Sequence, residues 1–408
     1  MADFHQNGQV ATLHNLRTTS TAELEAQLTE FGKQKKIWLI LPSLYSELEG
    51  EALPGIIDEL SQVPYIDHIV IGLDQATEKQ YRHAREFFSR LPQEHSILWN
   101  DGPRLQAVDE ELADATLAPR ELGKGRNVWY CIGYTLARGR SDVVALHDCD
   151  ILTYSQDMLA RLIYPICHPS FSYQFSKGYY PRVANGTLKG RVNRLLVTPL
   201  LHALSQLFGH SEYLSYLQAF RYSLSGEFAM QTSILKDIRV PSDWGLEIGV
   251  LSEAYRNLNA RRICQVELAD NYDHKHQPLS ESDANAGLSR MSRDISKALF
   301  RKLAIRGVVF HKTTFRTLKA TYYRTALDLI EAYNAVATMN GLSLDRHVEE
   351  RAVELFASNI VEAGAQFLET PMETPLIPNW RRIVSADPNI MQKIASAVEA
   401  DKDEYSAG

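Results

Sequence analysis

Four short apolar runs alternate with longer stretches of helical pattern across the first 150 residues, and this alternation limits the possible folds more than any other feature. Lys36-Ile-Trp-Leu-Ile-Leu-Pro42 is apolar up to the proline that stops it, as fits a strand buried on both faces. His68–Gly72, Ser96–Trp99 and Asp142–His147 have the same character. Each lies downstream of an expected helix, over Gly50–Leu60, Thr77–Leu91 and Asn127–Ala137. Strand and helix in alternation imply right-handed βαβ units and a parallel sheet. Ligands of such sheets bind beyond the carboxyl ends of the strands, so the residues just after each run are read first for chemistry.

The second half is less regular. An alternating segment spans Phe171–Tyr179, helices are expected over Val192–Leu207 and from near Trp244, and Arg262–Leu268 reads as a further strand. From about Ser289 the pattern is mostly helical, with runs near Thr321–Met339 and Asp345–Gly364, then the proline-bearing segment Pro371–Trp380 and a polar tail. This gives an N-terminal extension (1–35), a ligand-binding α/β domain (36–288) and a helical C-terminal region (289–408). A chain of 408 residues with 45% hydrophobic residues can bury a core of that size. The net charge of −7 gives no general attraction to nucleic acid. Cys131, Cys149, Cys167 and Cys264 are too far apart for a C-x-x-C zinc cage or a dense disulfide framework, which fits a reducing cytoplasm. Polar residues interrupt Met1–Ser20, so a signal peptide is not expected there. Nothing approaches the roughly 18 apolar residues that span a bilayer.

Val143-Val-Ala-Leu-His-Asp-Cys-Asp150 puts Asp148 and Asp150 at the carboxyl end of a buried strand. Two nearby carboxylates repel unless a cation neutralises them, and hard oxygen ligands of this kind suit Mg²⁺ or Mn²⁺, which also bridge a diphosphate. Such an ion would stabilise charge on a departing nucleoside diphosphate. A second D-x-D, Asp401-Lys-Asp403, lies in the polar tail and reads as a solvated face, so the preceding strand is what distinguishes the first. Cys149 reads as a small packing residue.

Other segments add weaker signals. Pro42-Ser-Leu-Tyr-Ser-Glu47 leaves the first strand and could grip a nucleoside through backbone groups and Glu47, and Gly123-Lys-Gly125 brings a cation to a helix start. Gly186-Thr-Leu-Lys-Gly-Arg-Val-Asn193 offers amides and cations for a small phosphate or carboxylate, although a basic surface turn would look the same. In Asp273-His-Lys-His-Gln-Pro278, His274 could complete a metal shell, although a lone histidine more often has no such role.

Taken in order, these strings resemble the glucosyl-3-phosphoglycerate synthases, retaining enzymes of the nucleotide-diphospho-sugar transferase (GT-A, Rossmann-like) fold. Pro42–Glu47 is similar to that family's Pro-Ala-Leu-Asn-Glu-Glu, Gly123-Lys-Gly125 to its lysine loop, and Asp148-Cys-Asp150 to its Asp-Ser-Asp. Gly190-Arg-Val-Asn193 resembles a Gly-Arg-Val-Thr acceptor loop, Ser225-Gly-Glu227 an Ala-Gly-Glu turn, and Trp244–Gly249 a Gly-Val-Glu-Ile-Gly helix start. Asp273–Leu279 resembles Ala-His-Arg-Asn-Arg-Pro-Leu. The resemblance covers roughly residues 36–300. It implies an α/β mixed sheet with helices on both faces, and Asp150 and His274 as metal ligands. Pro42, Ser43, Leu44, Glu47, Lys124, Asp148 and Cys149 would hold the donor, and Gly190, Arg191, Asn193 and His276 the acceptor. Glu247 would stand near the sugar, with Asp150 as its partner in catalysis. His276 stands where the family has asparagine, Asn193 replaces threonine and Tyr45-Ser46 replaces Asn-Glu, which bears on acceptor and donor base.

The expected reaction moves glucose from UDP-glucose to the 2-hydroxyl of 3-phosphoglycerate with retention. Competing readings are a related enzyme using GDP-mannose, GDP-glucose or glycerate, a nucleotidyltransferase, or a binding protein without turnover. The Gly-rich, Arg-bearing loop of nucleotidyltransferases is missing after the first strand, and the intact Asp148, Asp150 and His274 set argues against a mere binder. A homodimer is one open option for assembly.

Overall fold

The computed structural model describes residue 6 and residues 8–119, 122–274, 287–371 and 377–405. From the N-terminus, β1 (Ala11–Leu13) and α1 (Thr21–Gly32) lead to β2 (Ile37–Leu44), α2 (Tyr45–Leu48), α3 (Ala52–Leu60), β3 (His68–Asp74), α4 (Glu78–Phe88) and β4 (Glu94–Trp99). Next come α5 (Pro103–Asp114), α6 (Lys124–Arg138), β5 (Val143–Leu146), α7 (Gln156–Cys167), β6 (Phe175–Tyr179), β7 (Val183–Ala184) and β8 (Thr187–Leu188). They are followed by α8 (Thr198–Phe208), α9 (Glu212–Gln218), β9 (Phe228–Gln231), α10 (Thr232–Leu235), α11 (Leu246–Asn257) and β10 (Ile263–Glu267). The remainder is helical, with α12 (Gly287–Ala304), α13 (Lys312–Met339), α14 (Arg346–Glu369), α15 (Trp380–Ala386) and α16 (Ile390–Glu404).

The four apolar runs become β2, β3, β4 and β5, at the heart of an eight-stranded sheet ordered β1-β10-β6-β9-β5-β2-β3-β4. Neighbours are parallel except β9, which runs antiparallel to β5 and β6, so the sheet is mixed. Burial on both faces follows from the strands' alternation: Trp38 and Ile40 join one apolar cluster, and Ile37, Leu39 and Leu41 the other. Helices α5, α6, α8 and the C-terminal helices fill the first face, and α1, α3, α4 and α7 the second. The chain steps outward from β2 through β3 to β4 and then returns to β5 on the other side of β2. That reversal opens a crevice at the carboxyl ends of β2 and β5.

Three local expectations are corrected. Strand β2 does not stop at Pro42 but continues to Leu44, pairing Pro42 with Gly72 and Leu44 with Asp74. The carbonyl of Ile40 points toward β5, where it accepts from the His147 amide, and two residues on the same side is Pro42, beyond the last β5 pair. The missing N–H therefore falls where β2 has no neighbour, a position that tolerates proline. Residues 192–197 form a π-helical turn before α8, a form that recurs at functional sites. The polar tail is largely helix α16, in which Asp401 is fully buried and accepts from Arg104, while Asp403 is solvated as expected.

The segment before residue 36 supplies edge strand β1, which pairs with β10, and α1, which packs on α7. The C-terminal segment is fastened to α6 by two tryptophans. Their rings stack at 4.0 Å, Trp380 donates to the Trp129 carbonyl at 3.1 Å, and Trp129 donates to the Pro378 carbonyl at 2.9 Å.

Gly133 makes that contact possible, since a Cβ there would stand 2.2 Å from the Trp380 ring. Gly133→Ala should destabilise the protein by about 1–3 kcal/mol through overpacking. Gly55→Ala is the control, because no atom lies within 4 Å of its Cβ position and alanine favours the helix. Thermal unfolding should show a clear drop for the first and none for the second.

Candidate active site

Strand β5 is buried along its whole length and delivers Asp148 and Asp150 to the crevice, just past its last residue. Opposite, α6 begins at Lys124 behind Gly123, whose φ of 151° lies in the region open to glycine. Gly125 packs so closely that a Cβ would meet the Pro241 carbonyl at 2.0 Å. This close fit aims Lys124 inward, with its Nζ 2.6 Å from Asp148 Oδ1 and 3.2 Å from Glu247 Oε1. Glu247 comes from the first turn of α11, where the helix dipole favours a carboxylate. Burial works against the Lys124 ammonium, but Asp148 and Glu247 outweigh it and hold its pKa above the usual lysine value.

Asp150 faces His274, with Oδ2 and Nδ1 3.5 Å apart. The two segments are joined by a bridge between Ile151 and His274 and by the Leu152 amide donating to the Asp273 carbonyl at 2.9 Å. Burial opposes ionisation of Asp150, yet the His274 ring and Lys124 hold its carboxyl below the usual aspartate range.

The structure adds residues to which the sequence reading gave no role. Glu227, fully buried before β9, accepts from Tyr180 Oη at 2.6 Å and Tyr272 Oη at 3.0 Å, and those two rings stack at 3.7 Å. Burial, reinforced by the charge of Asp148, raises the Glu227 pKa. Lys177, fully buried in β6, donates to the Ser225 carbonyl, and burial lowers its pKa to about 8. A lysine inside the alternating Phe171–Tyr179 segment was the sequence signal for it. His147 is also fully buried, with neither ring nitrogen partnered among the described residues, and burial lowers its pKa to about 3. It therefore stays neutral, edge-on to Tyr154.

Among the described residues, Asp148, Asp150, Glu227 and Glu247 thus face Lys124 and Lys177 as full cations. Carboxylates in excess of ammonium groups leave the cluster short of positive charge, which a divalent ion would relieve. Among the described residues no group of three or more His, Cys, Asp or Glu side chains forms a metal cage. The Asp150–His274 pair nevertheless fits an ion that keeps open positions for water and phosphate oxygens, as Mg²⁺ does.

The remaining expected residues divide in two. Pro42, Ser43 and Leu44 end β2 on the crevice and Glu47 lies in the short α2. Cys149 is buried between the aspartates with Ser43 beside its thiol, and burial pushes that thiol well above the usual cysteine value, so it is no nucleophile. Gly190, at φ 71°, lies against Tyr222 and Arg182. Asn193 turns inward to accept from Ser223 Oγ at 3.0 Å. Arg191, expected on the acceptor side, donates through Nε to Glu349 Oε1 at 3.1 Å, a partner 158 residues away that local pattern could not reveal. His276 lies outside the described residues.

Over 401 residues, covering 98% of this chain and 99% of the other, the sequence is 46% identical to the glucosyl-3-phosphoglycerate synthase of Persephonella marina. The chain belongs to the glucosyl-3-phosphoglycerate synthase family. The enzyme of that name from Methanococcoides burtonii is 38% identical over 413 residues, covering 99% of both chains. The likeness therefore includes the helical C-terminal region and is not confined to residues 36–300. No family model matches the chain. Among solved structures, the Mycobacterium tuberculosis glucosyl-3-phosphoglycerate synthase in complex with Mn²⁺, UDP-glucose and phosphoglyceric acid superposes with a TM-score of 0.53 at 24% identity, over 72% of this chain and 88% of that one. Mannosyl-3-phosphoglycerate synthase from Rubrobacter xylanophilus gives 0.54 at 21% identity, over 74% and 83%. Both share the fold. No helix among the described residues is long and apolar enough to cross a membrane.

Gly226 carries a prediction of its own, because a Cβ there would stand 2.1 Å from Asp148 Oδ2. Gly226→Ala should displace that carboxylate from Lys124 and weaken Mn²⁺ binding roughly 10- to 100-fold, the range seen when groups behind metal ligands are disturbed. Calorimetric titration with Mn²⁺ measures it, and an unchanged affinity would show that Asp148 does not help to build the ion site.

Proposed function

We propose that this protein transfers glucose from UDP-glucose to the 2-hydroxyl of 3-phosphoglycerate, with retention at the anomeric carbon, at the crevice between β2 and β5. The observation that carries the site assignment is the convergence there of Lys124, Asp148 and Glu247 with the Asp150–His274 pair. In this reading Pro42, Ser43, Leu44 and Glu47 hold the uridine end, and Lys124, Asp148 and Cys149 line the diphosphate. Asp150 and His274 hold Mg²⁺ or Mn²⁺. Gly190, Arg191, Asn193 and His276 form the acceptor side. The four buried, unpaired cysteines support a reducing cytoplasm as its location.

A divalent ion bound at Asp150 and His274 would neutralise charge on the leaving diphosphate. The protein's own contribution is orientation and fixed charge. Lys124 presents a preorganised ammonium to the same developing charge. Glu247, tied to Lys124, is an orienting carboxylate close to the sugar. No separate protein base is required, because front-face departure lets the leaving phosphate oxygen take the proton of an acceptor held beside it.

Incubating the protein with UDP-glucose, GDP-glucose or GDP-mannose against 3-phosphoglycerate or glycerate, with product mass and anomeric configuration read out, tests the reaction. Asp150→Ala should reduce kcat by at least about 100-fold while leaving the metal-free melting temperature nearly unchanged. Retention of a large share of activity would overturn the metal assignment.

Arg191→Ala tests the acceptor side. Loss of a charge-assisted hydrogen bond of about 1.5–3 kcal/mol should weaken use of 3-phosphoglycerate roughly tenfold to a few hundredfold. It should also erase most of the preference over glycerate and leave KM for UDP-glucose unchanged. Equal loss on both acceptors would make this loop structural.

A further inference from the structure

The acceptor loop is held by the C-terminal hairpin of α13 and α14. Between those helices, the Ser343 amide donates to the Gly186 carbonyl at 2.8 Å. From α13, Tyr322 Oη donates to the Leu195 carbonyl at 2.5 Å, and the Tyr333 ring lies under the Arg194 guanidinium at 5.0 Å. From the first turn of α14, Glu349 reaches two arginines at once. Its Oε1 accepts from Arg191 Nε at 3.1 Å and its Oε2 from Arg194 Nη1 at 2.7 Å, with the carboxylate side chain only 5% exposed.

The two arginines differ in what remains of them. Arg194 is used up, donating also to the carbonyls of Lys189 and Leu188. Among the described residues Arg191 is bound through Nε alone, and its side chain is 29% exposed. A guanidinium fixed at Nε keeps its terminal nitrogens as a planar fork of set direction, the geometry that takes two oxygens of a phosphate.

We propose that Glu349 is the positioning residue of the acceptor-phosphate site, fixing Arg191 so that its terminal nitrogens meet the phosphate of the acceptor. This rests on the assignment of Arg191 to the acceptor made above. Bulk electrostatics gives the opposite expectation. Two arginines and one glutamate carry a single net positive charge, so neutralising Glu349 would leave two and should tighten binding of a multiply charged phosphate. Positioning requires that binding weaken instead, because the arginine loses its anchor and regains rotamer freedom.

The experiment measures steady-state kinetics of Glu349→Gln, Glu349→Asp, Arg191→Ala and the Glu349→Gln/Arg191→Ala double variant, with UDP-glucose and either 3-phosphoglycerate or glycerate. Glu349→Gln should raise KM for 3-phosphoglycerate roughly tenfold, the scale of one charge-assisted hydrogen bond. Its KM for UDP-glucose and its use of glycerate should stay within about twofold of wild type. Glu349→Asp should recover part of the loss, and the double variant should be no worse than Arg191→Ala, the mark of two residues acting as a unit. A KM for 3-phosphoglycerate that is unchanged or lowered overturns the proposal, as does a loss shared equally by donor, glycerate and 3-phosphoglycerate. If Arg191→Ala erases the phosphate preference and Glu349→Gln does not, the role of Glu349 alone falls. If Arg191→Ala keeps the preference, the acceptor assignment falls and takes this inference with it. Should Glu349→Gln melt below the assay temperature, Glu349→Asp decides alone, since retained charge with shortened reach must still raise KM selectively for the phosphorylated acceptor.

Discussion

The Lys124 ammonium stands between the carboxylates of Asp148 and Glu247, and this one pairing joins three segments that fold as separate elements. A lysine in the first turn of a helix opposes the helix dipole, so α6 begins with an unfavourable residue. The conflict resolves only when β5 and α11 bring their carboxylates. Local preference is broken where the site requires a cation, and the compensation comes from elements far apart in sequence. Once the lysine is placed, the rest of the cluster is constrained by charge. Asp150, half-buried, finds His274, and the fully buried Glu227 has to find two tyrosine hydroxyls, because a carboxylate taken out of water without partners is costly.

Much of the first half of the fold was legible because parallel strands buried on both faces are written as unbroken apolar runs. The crevice was legible for the same reason: a charge directly after such a run has to lie at a strand end. Lys124, Asp148 and Asp150 were singled out from short strings at a helix start and a strand end, and His274 took its expected role from the family resemblance. The exception at Pro42 is instructive, since a proline normally closes a strand and here only marks the point where a neighbour ends.

What could not be read is what long-range packing decides. Glu227 and Lys177 gave little local signal, because a single buried charge looks like any other polar residue until its partners are known. The partnership of Arg191 with Glu349 spans 158 residues. Asp401 read as solvated from its polar neighbours, yet burial against Arg104 removed it from water. The conversion of the expected helix start at Val192 into a π turn likewise answers to contacts from α13 and α14.

The strand that edges the sheet has a consequence for the order in which the chain is assembled. Ala11–Leu13 is made before the other strands of the sheet but pairs with Cys264–Val266, so it waits for some of the last strand residues to be made. Helix α16 is made later still, and it packs against α5, α6 and β4. The nascent protein therefore carries an unpaired β10-facing edge and an uncovered apolar helix surface through most of its synthesis. Such surfaces attract chaperones and other nascent chains. The central strands β2 and β5 have both their neighbours once β9 is made, whereas His274 and the α13–α14 hairpin that holds the acceptor loop follow β10, so the crevice is framed early and its chemistry is completed late.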